Sequence, residues 1–102
     1  MKEKILKFEK SKRNGKKYTA YVQDKKTKKI RTIHFGATGY QQFKDSTGKG
    51  VYSKLNHGDP KRKQRYFLRH SGTRNRKEAI SKEKKRYNYR YSPKILSHIY
   101  LW

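Results

Sequence analysis

The chain has 102 residues, of which 30 are lysine or arginine and 7 are aspartate or glutamate, so its formal net charge is +23. Hydrophobic residues make up only 30 % of the chain and cysteine is absent, which excludes a large self-sufficient core, a disulfide scaffold and a thiolate metal site. No apolar run approaches the length of about 18 residues that a membrane span needs. The first residues also lack the apolar stretch of a signal peptide, so we expect neither a membrane partner nor a secretory leader.

Aromatic residues, at 14 % of the chain, distinguish between the two remaining classes: a disordered basic tail and a small folded protein that binds polyanions. Disordered basic segments are poor in aromatic residues. We therefore expect a single small basic domain of residues 1–102 in the α+β class. Its predicted architecture is a small three-stranded antiparallel sheet followed by two or three short helices.

Residues 1–35 are predicted to form a β-meander. Turn signals at residues 13–15 and a charged loop at 24–29 separate three segments in which apolar and polar residues alternate. A three-residue first loop and a four-residue second loop give registers that agree with each other. These registers place seven side chains on one apolar face, namely Leu6, Phe8, Tyr18, Ala20, Val22, Ile33 and Phe35.

Residues 36–58 are predicted as a Gly-containing loop in which Tyr40 and Phe43 fold back onto the apolar face of the sheet. A basic helix is predicted over residues 59–72. An Asp-Pro pair is a typical helix start, and a glycine is a typical residue just after a helix end. The spacing within this helix places three arginines on one face, namely Arg62, Arg65 and Arg69.

Two further segments complete the chain. Residues 73–91 form a basic insert with a candidate helix, and its few apolar residues lead us to expect that it becomes ordered only with a polyanion bound. Residues 92–102 are predicted to form a C-terminal apolar helix that docks on the sheet or on Phe67. Its Trp102 is expected to join the local core rather than a partner, because the chain is short of apolar residues.

Basic side chains interleaved with tyrosines are typical of nucleic-acid binding, because lysine and arginine neutralise phosphates and tyrosine stacks on unpaired bases. For the arginine face of the predicted helix, a solvated or ion-paired surface is an equally good interpretation. No zinc-finger, homeodomain or RNA-recognition signature is present, so no sequence specificity is expected. The candidate binding residues are Lys16, Lys17, Lys28, Lys29, Arg31, Lys61, Arg62, Arg65, Arg69, Arg74, Arg76, Lys84, Lys85 and Arg86.

Neither a catalytic nor a metal site is expected. His57, Asp59 and His70 are residue types that bind metals, but the two histidines lie at opposite ends of one predicted helix, about 17–20 Å apart. The few acidic residues are too scattered for a general acid–base pair. We therefore expect a protein without enzymatic activity and without a cofactor.

Four short motifs follow one another along the chain: HFG at residues 34–36, GY at 39–40, HxDPxRKxRYxxRH at 57–70 and LW at 101–102. This pattern resembles a family of small basic proteins coded by large DNA viruses of eukaryotes, of the mimivirus and phycodnavirus kind. The chain departs from the pattern between the third motif and residue 93. The resemblance implies a viral context and a small folded unit, but no mechanism.

Charge and resemblance together predict a non-enzymatic structural component of a large DNA virus particle, either a minor capsid or an inner-virion protein. The resemblance implies a location in the virion and, during infection, in the host cytoplasm or nucleus. The expected partners are nucleic acid, with DNA favoured, or acidic surfaces of capsid proteins within a larger assembly. The alternative is an RNA-binding protein of a ribosome-like particle.

Overall fold

The computed structural model describes residues 1–102 as a three-stranded antiparallel sheet followed by three helices, which confirms the predicted fold class. A 3-10 turn, Ser53–Leu55, lies in the long loop between the sheet and the first helix. No helix is long and apolar enough to cross a bilayer. In chain order, the elements are β1 (Glu3–Lys10), β2 (Lys16–Asp24), β3 (Ile30–Ala37), α1 (Pro60–Ser71), α2 (Arg76–Arg86) and α3 (Pro93–Tyr100).

The sheet has the register that the two loop lengths predict, apart from the first part of β1. A β-bulge between Ile5 and Lys7 shifts the alternation of side chains in this strand. Ile5, rather than Leu6, therefore lies opposite Val22. The prediction that Leu6 belongs to the apolar face is wrong, because the extra residue of the bulge leaves this side chain 44 % exposed.

The hydrophobic core lies between the apolar face of the sheet and α3. Helix α2 packs against both α1 and α3, and each helix contributes a fully buried side chain: Phe67, Ala79 and Ile95. The C-terminal helix thus docks on the sheet and forms part of the core. The main cluster of buried hydrophobic residues is Tyr18, Ala20, Val22, Ile33, Phe35, Leu96 and Leu101.

The long loop covers one end of the sheet with a different tyrosine from the one predicted. Tyr52 packs edge-on against Tyr18, with ring centroids 5.4 Å apart, and so occupies the apolar face. Tyr40 is 73 % exposed, and Phe43 packs against the ring of His57 instead of the sheet. The prediction that Tyr40 folds back on the sheet is wrong because Tyr52 takes that place.

Helix α1 begins and ends at the residues that the sequence indicates. The Asp59 carboxylate accepts a hydrogen bond of 2.9 Å from the Lys61 backbone N–H, and Pro60 occupies the first turn. Gly72 follows the helix in the left-handed conformation, with φ of 70°. These caps fix the two ends of α1.

Residues 73–91 are ordered by polar contacts rather than by apolar burial. Asn75 caps the start of α2. Glu83 is fully buried and accepts a hydrogen bond from the Ser71 hydroxyl, while the Lys82 ammonium donates to the Ser71 carbonyl at 2.9 Å. Hydrogen bonds to α1 thus supply contacts that the few apolar side chains do not. The expectation that a polyanion orders this segment stays a prediction.

Gly36 occupies a position in β3 that has no room for a side chain. Its φ is 78°, and a Cβ there would lie 2.9 Å from Cδ1 of Leu101 and 3.2 Å from Cβ of Lys17. We expect Gly36→Ala to lower the free energy of unfolding by roughly 2 kcal/mol, measured by urea denaturation. Gly15→Ala is the matched control, because Gly15 has φ of 84° but nothing within 4 Å of an added Cβ. Equal losses in the two variants would contradict a steric effect.

Candidate nucleic-acid interface

A groove of about 650 Å³ opens between the sheet end and the helices α1 and α3. The start of β2 and the end of β3 form one wall, and the two helices form the other. No acidic residue lines it. We call it the basic groove, after its lysine and arginine side chains: Lys16, Lys17, Arg62, Arg65, Arg69 and Lys94.

Helix α1 directs three arginines into the groove. Arg62, Arg65 and Arg69 follow one another at intervals of three and four residues, which places them on one helix face, away from the buried Phe67. None of the three forms an ion pair. Arg62 donates a hydrogen bond of 2.7 Å to the Gln41 side chain across the groove. The other two guanidinium groups are free to bind an anion.

The floor of the groove is aromatic. Tyr66 stacks on Trp102 with ring centroids 4.1 Å apart and an interplanar angle of 5°. The Trp102 ring also lies 5.2 Å from the His57 ring, at an interplanar angle of 54°. Tyr40 lines the groove and is 73 % exposed, so its ring is accessible to a base.

Lys17 lines the groove but is buried to 2 % exposure, and its ammonium is used within the fold. It donates to the Tyr40 carbonyl at 2.6 Å and to the Gln42 side-chain oxygen. Burial lowers the pKa of Lys17 to about 8, because the charged form loses solvation. Lys17 therefore holds the loop at the rim of the groove in place instead of contacting a ligand.

A chain of buried polar groups lies behind the aromatic floor. The Tyr66 hydroxyl is 2.9 Å from Nδ1 of His98, and Nε2 of His98 is 2.8 Å from the Ser71 hydroxyl. The Ser71 hydroxyl donates to Oε1 of Glu83 at 3.1 Å. Burial lowers the pKa of His98 to about 4 and raises the pKa of Tyr66. Near neutral pH the imidazole and the phenol are therefore both uncharged.

The direction of these hydrogen bonds shows what the polar chain does. The single hydroxyl proton of Ser71 goes to the Glu83 carboxylate, so His98 donates from Nε2 and accepts from Tyr66 at Nδ1. A nucleophilic serine needs the opposite arrangement, with its hydroxyl donating to the histidine. The chain therefore positions the groove wall and does not activate Ser71. No group of three histidine or acidic side chains is placed to share a metal ion.

Several of the sequence-predicted residues lie outside the groove. Arg31 makes two hydrogen bonds of 2.7 and 2.9 Å to the Glu3 carboxylate, and Arg76 donates to a backbone carbonyl of α3 at 3.0 Å. These two charges stabilise the fold, so we remove both residues from the candidate surface. Lys61 and Arg74 line a shallow cavity that shares Arg65 with the groove. The others do not line the groove: Lys28 and Lys29 lie around the β2–β3 turn, and Lys84, Lys85 and Arg86 lie in the last turn of α2.

Sequence reasoning missed Lys94, which lines the groove from α3. Its ammonium donates to the His70 carbonyl at 3.2 Å and lies 3.9 Å from a Glu83 oxygen. No local signal could have found it, because only the packing of α3 beside α1 brings it to the arginines. The sequence indicated only that Lys94 is a lysine on a mostly apolar helix, so its ammonium was expected to reach the surface.

Comparison with known proteins gives one match. Residues 6–47 match a family of unknown function, DUF5754. The matched range includes β2, β3 and the larger part of β1, but none of the three helices. None of the curated proteins and none of the solved structures matches the chain. Over most of its sheet and the first part of the long loop, the chain is therefore similar to a family whose function is not known.

Proposed function

We propose that the protein binds nucleic acid without sequence specificity, that it has no enzymatic activity, and that the basic groove is its phosphate site. One observation carries the proposal: lysine and arginine side chains line the groove from three elements, no acidic residue lines it, and Lys94 alone among these cations has a carboxylate partner, the buried Glu83. Converging like charges repel one another and destabilise the folded chain unless an anion lies between them. Nucleic-acid phosphates provide such anions in a regular row.

The surroundings of the groove support a polymer as the ligand. Beyond Arg65 the basic surface continues over the outer side of α1 to Lys61 and Arg74. A polymeric anion follows such a track, whereas a small anion needs only one site. The net charge of +23 also extends well beyond the groove. Contacts of this kind bind phosphates and carry no sequence information directly, which is why we propose non-specific binding.

Salt dependence tests this proposal. For duplex DNA, log affinity falls linearly with log salt concentration, with a slope of about −0.9 for each phosphate contacted. If four or five lysine and arginine side chains of the groove each contact one phosphate, the expected slope is roughly −4. Fluorescence anisotropy of labelled DNA over a salt series measures it. A slope near zero would show that charge does not determine binding.

The same titration tests the absence of specificity. Two duplexes of unrelated sequence and equal length are expected to bind with equal affinity. A difference of several kcal/mol between them would contradict non-specific binding, because discrimination of that size requires contacts to base edges. Affinities for a single-stranded DNA and an RNA of the same length are measured in the same way. Comparing them with the affinity for the duplex identifies the preferred nucleic acid.

The resemblance to small basic viral proteins supports a virus particle as the place where the protein binds nucleic acid. We propose that the protein is a minor capsid or inner-virion component of a large DNA virus, where its basic surface contacts packaged DNA or acidic capsid surfaces. Particle proteomics tests this: the protein is expected to co-purify with virions. Co-purification with ribosomes instead would favour the alternative, an RNA-binding protein of a ribosome-like particle.

A further inference from the structure

A second group of positive charges is centred on the β2–β3 turn, at the opposite end of strand β2 from the basic groove. The β2–β3 turn and the end of α2 supply them, and all six side chains are exposed. None of them forms an ion pair. We call this group the distal basic cluster, and its members are Lys25, Lys26, Lys28, Lys29, Lys85 and Arg86.

Backbone hydrogen bonds join the two halves of this cluster through the start of β1. The Lys25 N–H donates to the Lys2 carbonyl at 3.0 Å, and the Lys2 N–H donates to the Tyr89 carbonyl at 2.8 Å. The Tyr89 N–H in turn donates to the carbonyl of Lys84 in the last turn of α2. The turn and the helix end are therefore fixed beside each other and form one surface.

The nearby acidic groups do not neutralise this surface. The Asp24 carboxylate lies 3.5 Å from the Arg90 guanidinium, and the Glu3 carboxylate is held by Arg31. Each of these acids is thus matched by its own arginine. The charges of the distal basic cluster are therefore left without a carboxylate partner.

The backbone at this end is unusual as well. The chain has three non-glycine residues with positive φ, and all three lie here: Lys28 at 66°, Asn88 at 55° and Tyr89 at 58°. Such conformations cost roughly 1 kcal/mol or more each, and they persist where the surrounding structure or a function requires them. Here they leave the rings of Tyr87 and Tyr89 exposed beside the cations. Tyrosine next to lysine and arginine is the composition that binds bases and phosphates together.

The lysines of the β2–β3 turn are too far from the start of β2 to share one compact site with the basic groove. Strand β2 runs from Lys16 in the groove to Asp24 at the turn, and its nine residues span about 27 Å at roughly 3.3 Å per residue. The longest dimension of the molecule is 40 Å. We propose that the distal basic cluster is a second nucleic-acid site and that the protein bridges two nucleic-acid segments, one at each end. This inference rests on the proposed function of the groove.

A bridging assay tests this inference. Two short duplexes, one with a donor dye and one with an acceptor dye, are mixed with the full-length protein, and energy transfer between them is measured. We expect transfer to rise to a maximum near two duplexes per protein. The distal variant Lys25→Gln/Lys26→Gln/Lys29→Gln is expected to keep binding one duplex, by anisotropy, but to lose the transfer.

A control variant with the same change in charge separates bridging from general attraction. Lys44→Gln/Lys49→Gln/Lys54→Gln alters three exposed lysines of the long loop that belong to neither surface, and we expect it to retain the transfer. Full transfer in the distal variant, or a single duplex bound by the unmodified protein, would overturn the second site. If the distal variant instead loses all duplex binding, the groove does not bind, and the proposed function fails rather than the distal site alone.

Discussion

Replacing Arg62, Arg65 and Arg69 together by glutamine is expected to weaken binding of duplex DNA at the groove by roughly 10²–10³-fold at about 0.1 M salt. Each phosphate contact contributes about 0.9 log units of affinity at this salt concentration, relative to 1 M, through the counterion it releases. The three guanidinium groups share one helix face in the groove and have no carboxylate partner. Removing them therefore removes three phosphate contacts.

Fluorescence anisotropy with a labelled duplex measures this loss. The slope of log affinity against log salt concentration is also expected to become less negative by nearly three. The triple variant Lys44→Gln/Lys49→Gln/Lys54→Gln has the same net charge as the arginine variant and serves as its matched control. We expect the control to lose much less affinity. Equal losses in the two variants would show that total charge, and not the groove, determines binding.

Lowering the pH from 7 to 4.5 is expected to reduce the free energy of unfolding by roughly 2–3 kcal/mol through His98 alone. Burial holds the pKa of this imidazole at about 4 in the folded protein, against an ordinary value of 6.5. Between these two values the unfolded chain binds a proton that the folded protein does not. Stability therefore falls as the pH falls through this window, and it is fully present above about pH 6.5.

Urea denaturation at closely spaced pH values measures this effect. His98→Gln is expected to be less stable at neutral pH and to lose the part of the pH dependence between 6.5 and 4 that His98 contributes. The pKa values of His57 and His70 are also lowered by burial, so their smaller share of this dependence remains. His34→Gln, on the open face of the sheet, is the histidine control and is expected to keep that dependence. Carboxylates whose pKa is lowered, such as Glu3 and Asp45, lose their contribution only at more acidic pH. A flat stability profile from pH 7 to 4.5 in the unmodified protein would contradict the buried, neutral imidazole.

Local chemistry made the sheet and the helix ends predictable. The lengths of the two loops fix the strand registers. At the ends of α1, the Asp59 carboxylate accepts hydrogen bonds from free backbone N–H groups, and the Gly72 N–H donates to the Leu68 carbonyl. The bulge that exposes Leu6 has no such local signature. Neither does the exposure of Tyr40, which depends on Tyr52 reaching the sheet from a later part of the loop.

The candidate site was predictable only in part, for a related reason. The spacing of the three α1 arginines is a local property, and the structure places them in one groove. Lysine and arginine, however, serve both as ligands for anions and as partners for buried carbonyls and carboxylates. Lys17, Arg31 and Arg76 take the second role, which depends on long-range packing. The packing of α2 was unpredictable for the same reason. Its buried Glu83 accepts a hydrogen bond from Ser71, a contact that only the tertiary fold creates.

The bulge in β1 has a consequence for solubility. The sheet order is β1-β2-β3, so β1 is an open edge whose unpaired N–H and C=O groups could template the pairing of a second copy. An extra residue at Leu6 interrupts that row, and the exposed Lys4 and Lys10 on either side repel an approaching copy with the same charges. The edge is thus protected against strand-to-strand aggregation even when many copies crowd together on one polyanion. Copies of the protein that cluster on DNA would then not join through β1 into an extended sheet.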